Sequence, residues 1–108
     1  MKVITKGHKY ELSNFEPNLP DAPQQDQTIQ FIEKLPNALD QTKLDTVNNG
    51  TTNEEVLKML INRMNYLQDK FPCRENAIVI THLEESLMWL EKRTADRVDR
   101  GVEGTHVK

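Results

Sequence analysis

Two apolar stripes separated by one proline constrain this chain more than any other feature. Leu57, Leu60, Met64 and Leu67 recur at +3, +4 and +3, and Ile61 widens their stripe. Ala77, Ile80, Leu83, Leu87 and Leu90 recur at +3, +3, +4 and +3. Such spacing puts each set on one face of an α-helix. Pro72 lies between them, and the residue before a proline disfavours αR geometry. The first helix therefore ends near Phe71 and the second starts near Arg74. Thr52 stands three residues before Glu55 at the first start, which is the capping-box spacing. The second helix runs to about Arg100, where Gly101 can close it in a left-handed conformation. A link as short as Phe71-Pro72-Cys73 makes the two helices antiparallel. Met88 and Trp89 lie off the main stripe and predict a second buried surface, against a sheet or another subunit.

The first half reads differently. It holds Pro17, Pro20, Pro23 and Pro36. Lys9 to Phe15 alternates loosely, and Gln27 to Lys34 puts Ile29 and Phe31 on one face. Asn18 to Asp26 is rich in Pro, Asp and Gln and reads as a long loop. Leu44 to Val47 adds a third short strand, and Asn48-Asn49-Gly50 is a turn. The expected fold is α+β. A small antiparallel β-sheet over residues 1–50 precedes a two-helix hairpin with a C-terminal ligand-binding tail over 51–108, and the two pack as one unit.

Composition narrows the function. The 108 residues are 36% hydrophobic and 6% aromatic, so the core is small and oligomerisation is expected to enlarge it. The net charge of -3 argues against a duplex nucleic-acid partner but permits a local basic site. Cys73 is the single cysteine, so no internal disulfide forms. No run reaches the ~20 apolar residues of a membrane helix, and residues 1–6 lack a signal-peptide core. A soluble protein of the cytosol, without a membrane partner, is expected.

No catalytic pattern stands out. His8, His82 and His106 show no metal-ligand spacing, and four glycines leave little for a phosphate-cradling loop. No metal, cofactor or catalytic residue is expected. Arg93, Arg97 and Arg100 recur at i, i+4 and i+7 and share a helix face. Guanidinium groups bind phosphate oxygens in a two-pronged manner. The competing use is salt bridging to Glu91, Asp96 and Asp99. Past Gly101, the tail offers backbone N–H groups, the Thr105 hydroxyl and the His106 imidazole. A tail this polar frays unless a neighbouring subunit orders it. Tyr66 can stack on a nucleobase and Asn76 can read its edge. Asn76 and Arg93 lie about 25 Å apart along one helix. One small ligand would meet both only where two antiparallel hairpins pair.

Phe71-Pro72-Cys73-Arg74-Glu75-Asn76, Leu83-Glu84-Glu85-Ser86-Leu87-Met88-Trp89-Leu90, Arg93-Thr94-Ala95-Asp96-Arg97 and Arg100-Gly101-Val102-Glu103-Gly104-Thr105-His106 carry a family likeness. Together they resemble the hairpin domain of phage anti-defence sponges, the anti-Thoeris and anti-CBASS proteins. The likeness covers about residues 50 to 108, and the first half looks more like the anti-Thoeris branch. It implies a non-enzymatic protein of the infected bacterial cytoplasm. Such a protein sequesters cyclic ADP-ribose isomers, and cyclic di- or trinucleotides, without cleaving them. It implies a homo-oligomer built from dimers, typically a hexamer. It also implies a pocket of Tyr66, Asn76, Arg93 and Arg97, and a second cyclic-oligonucleotide site at Arg100, Gly104, Thr105 and His106. The rival readings are a protein-interaction or oligomerisation module and a signal-degrading hydrolase.

Overall fold

The computed structural model describes residues 1–16, 20–21 and 26–108. It is α+β, with antiparallel strands ahead of a helical hairpin. The elements are β1 (Lys2–Thr5), β2 (Lys9–Leu12), β3 (Gln27–Gln30), β4 (Glu33–Pro36), β5 (Leu44–Asn48), α1 (Asn53–Lys70) and α2 (Arg74–Asp99). Most of the loop expected over Asn18 to Asp26 lies outside the described residues. Among the described residues no helix is long and apolar enough to cross a membrane.

The chain divides into two compact units, residues 1–35 with 45–51, and residues 36–44 with 52–108. In the first unit, β1, β2 and β3 form a sheet in that order. β2 and β3 run antiparallel with Tyr10 opposite Ile29 and Leu12 opposite Gln27. The alternation from Gln27 to Lys34 is not one strand. It divides at Phe31 and Ile32, because their N–H groups turn to different acceptors. Phe31 donates to the His8 carbonyl at 2.7 Å and Ile32 to the Thr51 carbonyl at 2.9 Å. Beyond the break, β4 pairs with β5. The Phe31 ring meets Tyr10 edge-on, with centroids 5.9 Å apart. Gly50 allows this crossing. A Cβ there would overlap the Gln30 carbonyl and lie 2.7 Å from the Phe31 carbonyl carbon, while Thr51 N–H bonds the Gln30 carbonyl at 2.8 Å.

In the second unit, α1 starts as the sequence implies. The Thr52 hydroxyl accepts the Glu55 N–H at 3.2 Å, satisfying one of the donors a helix start leaves open. Thr52→Ala is expected to lower unfolding free energy by about 1 kcal/mol, read as a shift in the urea midpoint. The sheltered stripe of α1 is Leu57, Ile61, Met64 and Leu67. Leu60, on the stripe by spacing alone, is 39% exposed. On α2, Ile80, Leu83, Leu87 and Leu90 are the partly covered apolar residues, while Ala77 is exposed. The corner is stapled by Gln68. Its Oε1 accepts the Cys73 N–H at 3.1 Å and its Nε2 donates to the Cys73 carbonyl at 3.0 Å. Cys73 caps α2, its Sγ accepting the Asn76 N–H at 3.4 Å.

No described hydrophobic side chain is fully buried. The stripes shelter each other only in part, as expected where two helices make a single contact face.

Candidate ligand-binding site

The C-terminal end of α2 is built around Arg97. It falls at +7 from Leu90, with Thr94 between, so it continues the inward stripe instead of the outward basic one. Arg97 is 8% exposed, the one buried polar side chain among the described residues. Its guanidinium binds the tail. Nε donates to Glu103 Oε2 at 3.2 Å and Nη1 to the Val107 carbonyl at 2.5 Å. Nη2 donates to the Val102 carbonyl at 2.9 Å and the Thr105 carbonyl at 3.0 Å.

The turn that aims the tail at Arg97 follows from Gly101, whose φ is +71°. The Gly101 N–H bonds the Val98 carbonyl at 3.0 Å and the Val102 N–H bonds the Arg97 carbonyl at 3.0 Å. This is the paired closure of a helix by a left-handed glycine. Thr105 then turns back, its N–H at 3.1 Å and its hydroxyl at 2.5 Å from the Val102 carbonyl. Thr105 bridges to Lys43 in antiparallel fashion, and the His106 N–H donates to the Thr42 carbonyl at 2.7 Å. Thr42 is itself fixed. Its hydroxyl donates to Asp40 Oδ1 at 2.6 Å and its N–H at 3.0 Å, which holds the Asp40 carboxyl below its usual pKa. The tail was expected to need a neighbouring subunit for order. Contacts within one chain hold it, because Arg97 gathers carbonyls that a polar tail would otherwise leave to water.

Beside this knot lies a cleft of about 460 Å³, lined by Trp89, Lys92, Arg93, Asp96, Arg97, Arg100 and Lys108. Lys92 and Asp96 neutralise each other at 2.8 Å. Arg100 donates from Nη2 to the Lys108 carbonyl. Arg93 is exposed and has no ion pair or hydrogen bond among the described residues. Trp89 is 57% exposed. The three arginines are therefore not equivalent. Arg93 points a free guanidinium at the cleft, Arg97 faces the tail, and Arg100 does some of each. Salt bridging to Glu91 and Asp99 is not seen among the described residues. Such a cleft can hold an anion on its guanidinium groups, with an aromatic ring beside it for a planar group to stack on.

Tyr66 and Asn76 stand elsewhere. Tyr66 is largely exposed on α1, with Lys70 Nζ 5.6 Å from its ring centroid. Asn76 is in the first turn of α2 and half-covered. Since α2 is one unbroken helix, Asn76 and Arg93 are separated by about 25 Å. Gly104 adopts φ of +79° in the tail, and the His106 side chain is exposed. Trp89 and Lys92 were not among the residues expected in a site. The available signal was their position four residues and one residue before Arg93. Among the described residues no three His, Cys, Asp or Glu side chains are placed to hold a metal ion.

A strand region, a long hairpin and a basic cleft at the hairpin's open end define a small module able to hold an anion. Residues 28–95 match the family described as Acb2/Tad1, hairpin domain, and the chain belongs to that family. A 61-residue stretch is 61% identical to Thoeris anti-defense 1 of Bacillus phage SBSphiJ7, covering 56% of this chain and 43% of that protein. The chain thus spans less than half the length of that relative.

Proposed function

We propose that the protein is an anti-Thoeris sponge. In the cytoplasm of an infected bacterium it binds cyclic ADP-ribose isomers, and cyclic di- or trinucleotides, and keeps them from their effectors without cleaving them. The observation that carries this reading is the cleft, where the unpaired Arg93 guanidinium stands beside the exposed Trp89. The name of the phage relative supports the same reading. Mass action is the whole mechanism: bound signal is not free signal. A nanomolar dissociation constant corresponds to about 12 kcal/mol. Charge-assisted bonds to phosphate and stacking on an aromatic ring supply such affinity when the site is closed from water.

Closure comes from assembly in this proposal. The protein forms a homo-oligomer of dimers, a hexamer in the family pattern. One hairpin's corner brings Tyr66 and Asn76 to the open end of its antiparallel neighbour, where Arg93 and Arg97 line the cleft. Arg100, Gly104, Thr105 and His106 form a second site for cyclic oligonucleotides, with the left-handed Gly104 presenting its backbone to the ligand.

Calorimetry with cyclic ADP-ribose and with a cyclic trinucleotide tests the proposal. Saturable heat with at least one ligand, at tens of micromolar protein, is expected. No heat with either would end it.

A further inference from the structure

The hairpin turns through Phe71, Pro72 and Cys73. Phe71 and Cys73 leave the helical region, with φ of −139° and −152°, and Pro72 between them has no N–H to donate. The start of α2 is weakly capped. The Cys73 thiol accepts the Asn76 N–H at 3.4 Å, and sulfur is a weak acceptor. Serine, threonine, aspartate or asparagine would hold such a start better. Gln68 supplies what the cap lacks. Its side-chain amide accepts the Cys73 N–H at 3.1 Å and donates to the Cys73 carbonyl at 3.0 Å, the exchange that a residue of a neighbouring strand would make. The same carbonyl accepts the Ala77 N–H at 3.2 Å, the bond with which α2 begins. Asn76 stands in this first turn, half-covered, and its side-chain amide has no hydrogen bond among the described residues.

We infer that Gln68 is a positioning residue: through both backbone groups of Cys73 it sets the direction in which α2 leaves the corner, and so aims the Asn76 amide at the ligand without touching the ligand itself. The Asn76 part rests on the proposed function; the staple does not. The residue type fits the task. Glutamine carries an acceptor and two donors on one planar group, so it meets an N–H and a carbonyl together. Glutamate could only accept, and asparagine is one methylene shorter. The staple orders the corner on folding, and a pre-aimed Asn76 then has less freedom to lose on binding.

Gln68→Met in the full chain tests the staple, because it keeps the length of the side chain and removes both hydrogen bonds. In the ligand-free protein the Cys73 amide is expected to exchange hydrogen several-fold faster, while the amides of Leu83 to Leu87 hold their rates and show that α2 remains folded. Unchanged exchange at Cys73 would overturn the staple. Calorimetry with cyclic ADP-ribose separates positioning from a general loosening through a double-mutant cycle. Gln68→Met is expected to weaken binding about fivefold by itself and less than about twofold beside Asn76→Ala, because the group it aims is then gone. Equal losses in both backgrounds, no loss in the first, or an Asn76→Ala protein that binds as tightly as the unaltered one would overturn the positioning role. If the unaltered protein binds no cyclic nucleotide, the proposed function fails, and the exchange result still decides the staple.

Discussion

Arg93→Glu is expected to weaken cyclic ADP-ribose binding by at least about 100-fold, or about 2.7 kcal/mol, in calorimetry. Arg93 carries this weight because nothing in its own chain neutralises it among the described residues. Lys92 is paired with Asp96 at 2.8 Å, and Arg97 is engaged with the tail. A hydrogen bond to a charged group is worth about 1.5–3 kcal/mol, and a fork makes two. Glutamate removes both and adds repulsion toward the phosphates. Arg93→Lys should recover part of the affinity, since the charge returns without the fork. Arg63→Glu makes the same change of net charge on α1, outside the cleft, and should alter affinity less than about threefold. Equal losses for Arg63→Glu and Arg93→Glu would show that only overall charge matters.

Met88→Glu is expected to dissociate the proposed oligomer, seen as a fall in mass by sedimentation velocity at micromolar protein. Met88 is 51% exposed in the single chain, and with Met59, Ile78 and Val79 it belongs to a large exposed apolar set on the hairpin. With no fully buried hydrophobic side chain among the described residues, the single chain draws little stability from itself. Burying a methionine contributes about 1.5–3 kcal/mol, and a two-fold interface counts each residue twice. A charge at Met88 therefore raises the dimer dissociation constant by 100-fold or more. Thermal stability should follow, since an obligate oligomer unfolds at a temperature that depends on its concentration. In the unaltered protein the midpoint should rise with concentration. A concentration-independent midpoint, with Met88→Glu of unchanged mass, would mean that the monomer is the folded unit.

The hairpin was legible in the sequence because helical period, the Thr52 cap, Pro72 and Gly101 all act locally. Each element boundary fell within a residue or two of its signal. The strands were less legible. Gln27 to Lys34 alternates smoothly, and only the tertiary demands of His8 and Thr51 divide it. β1 (Lys2–Thr5) gave no notice, since its four residues are exposed and its partner is set by the turn at Gly7. At the site, the spacing of Arg93, Arg97 and Arg100 implied one shared face at the end of α2. It could not say that Arg97 turns inward, because the angular difference between the basic and apolar stripes is small. Its +7 offset from Leu90 was the only clue. The tail misled for a physical reason. Polar composition implies fraying, but a buried guanidinium with four carbonyl or carboxylate acceptors can order such a segment by itself.

The proposed sponge captures its ligand without destroying it. Excess protein is incubated with cyclic ADP-ribose, free ligand is measured by ultrafiltration, and the complex is then denatured and its contents identified by mass spectrometry. Free ligand should fall in proportion to protein, and the ligand released on denaturation should be intact and recovered in full. Free ligand that does not fall, or release of a linear hydrolysis product, would contradict it.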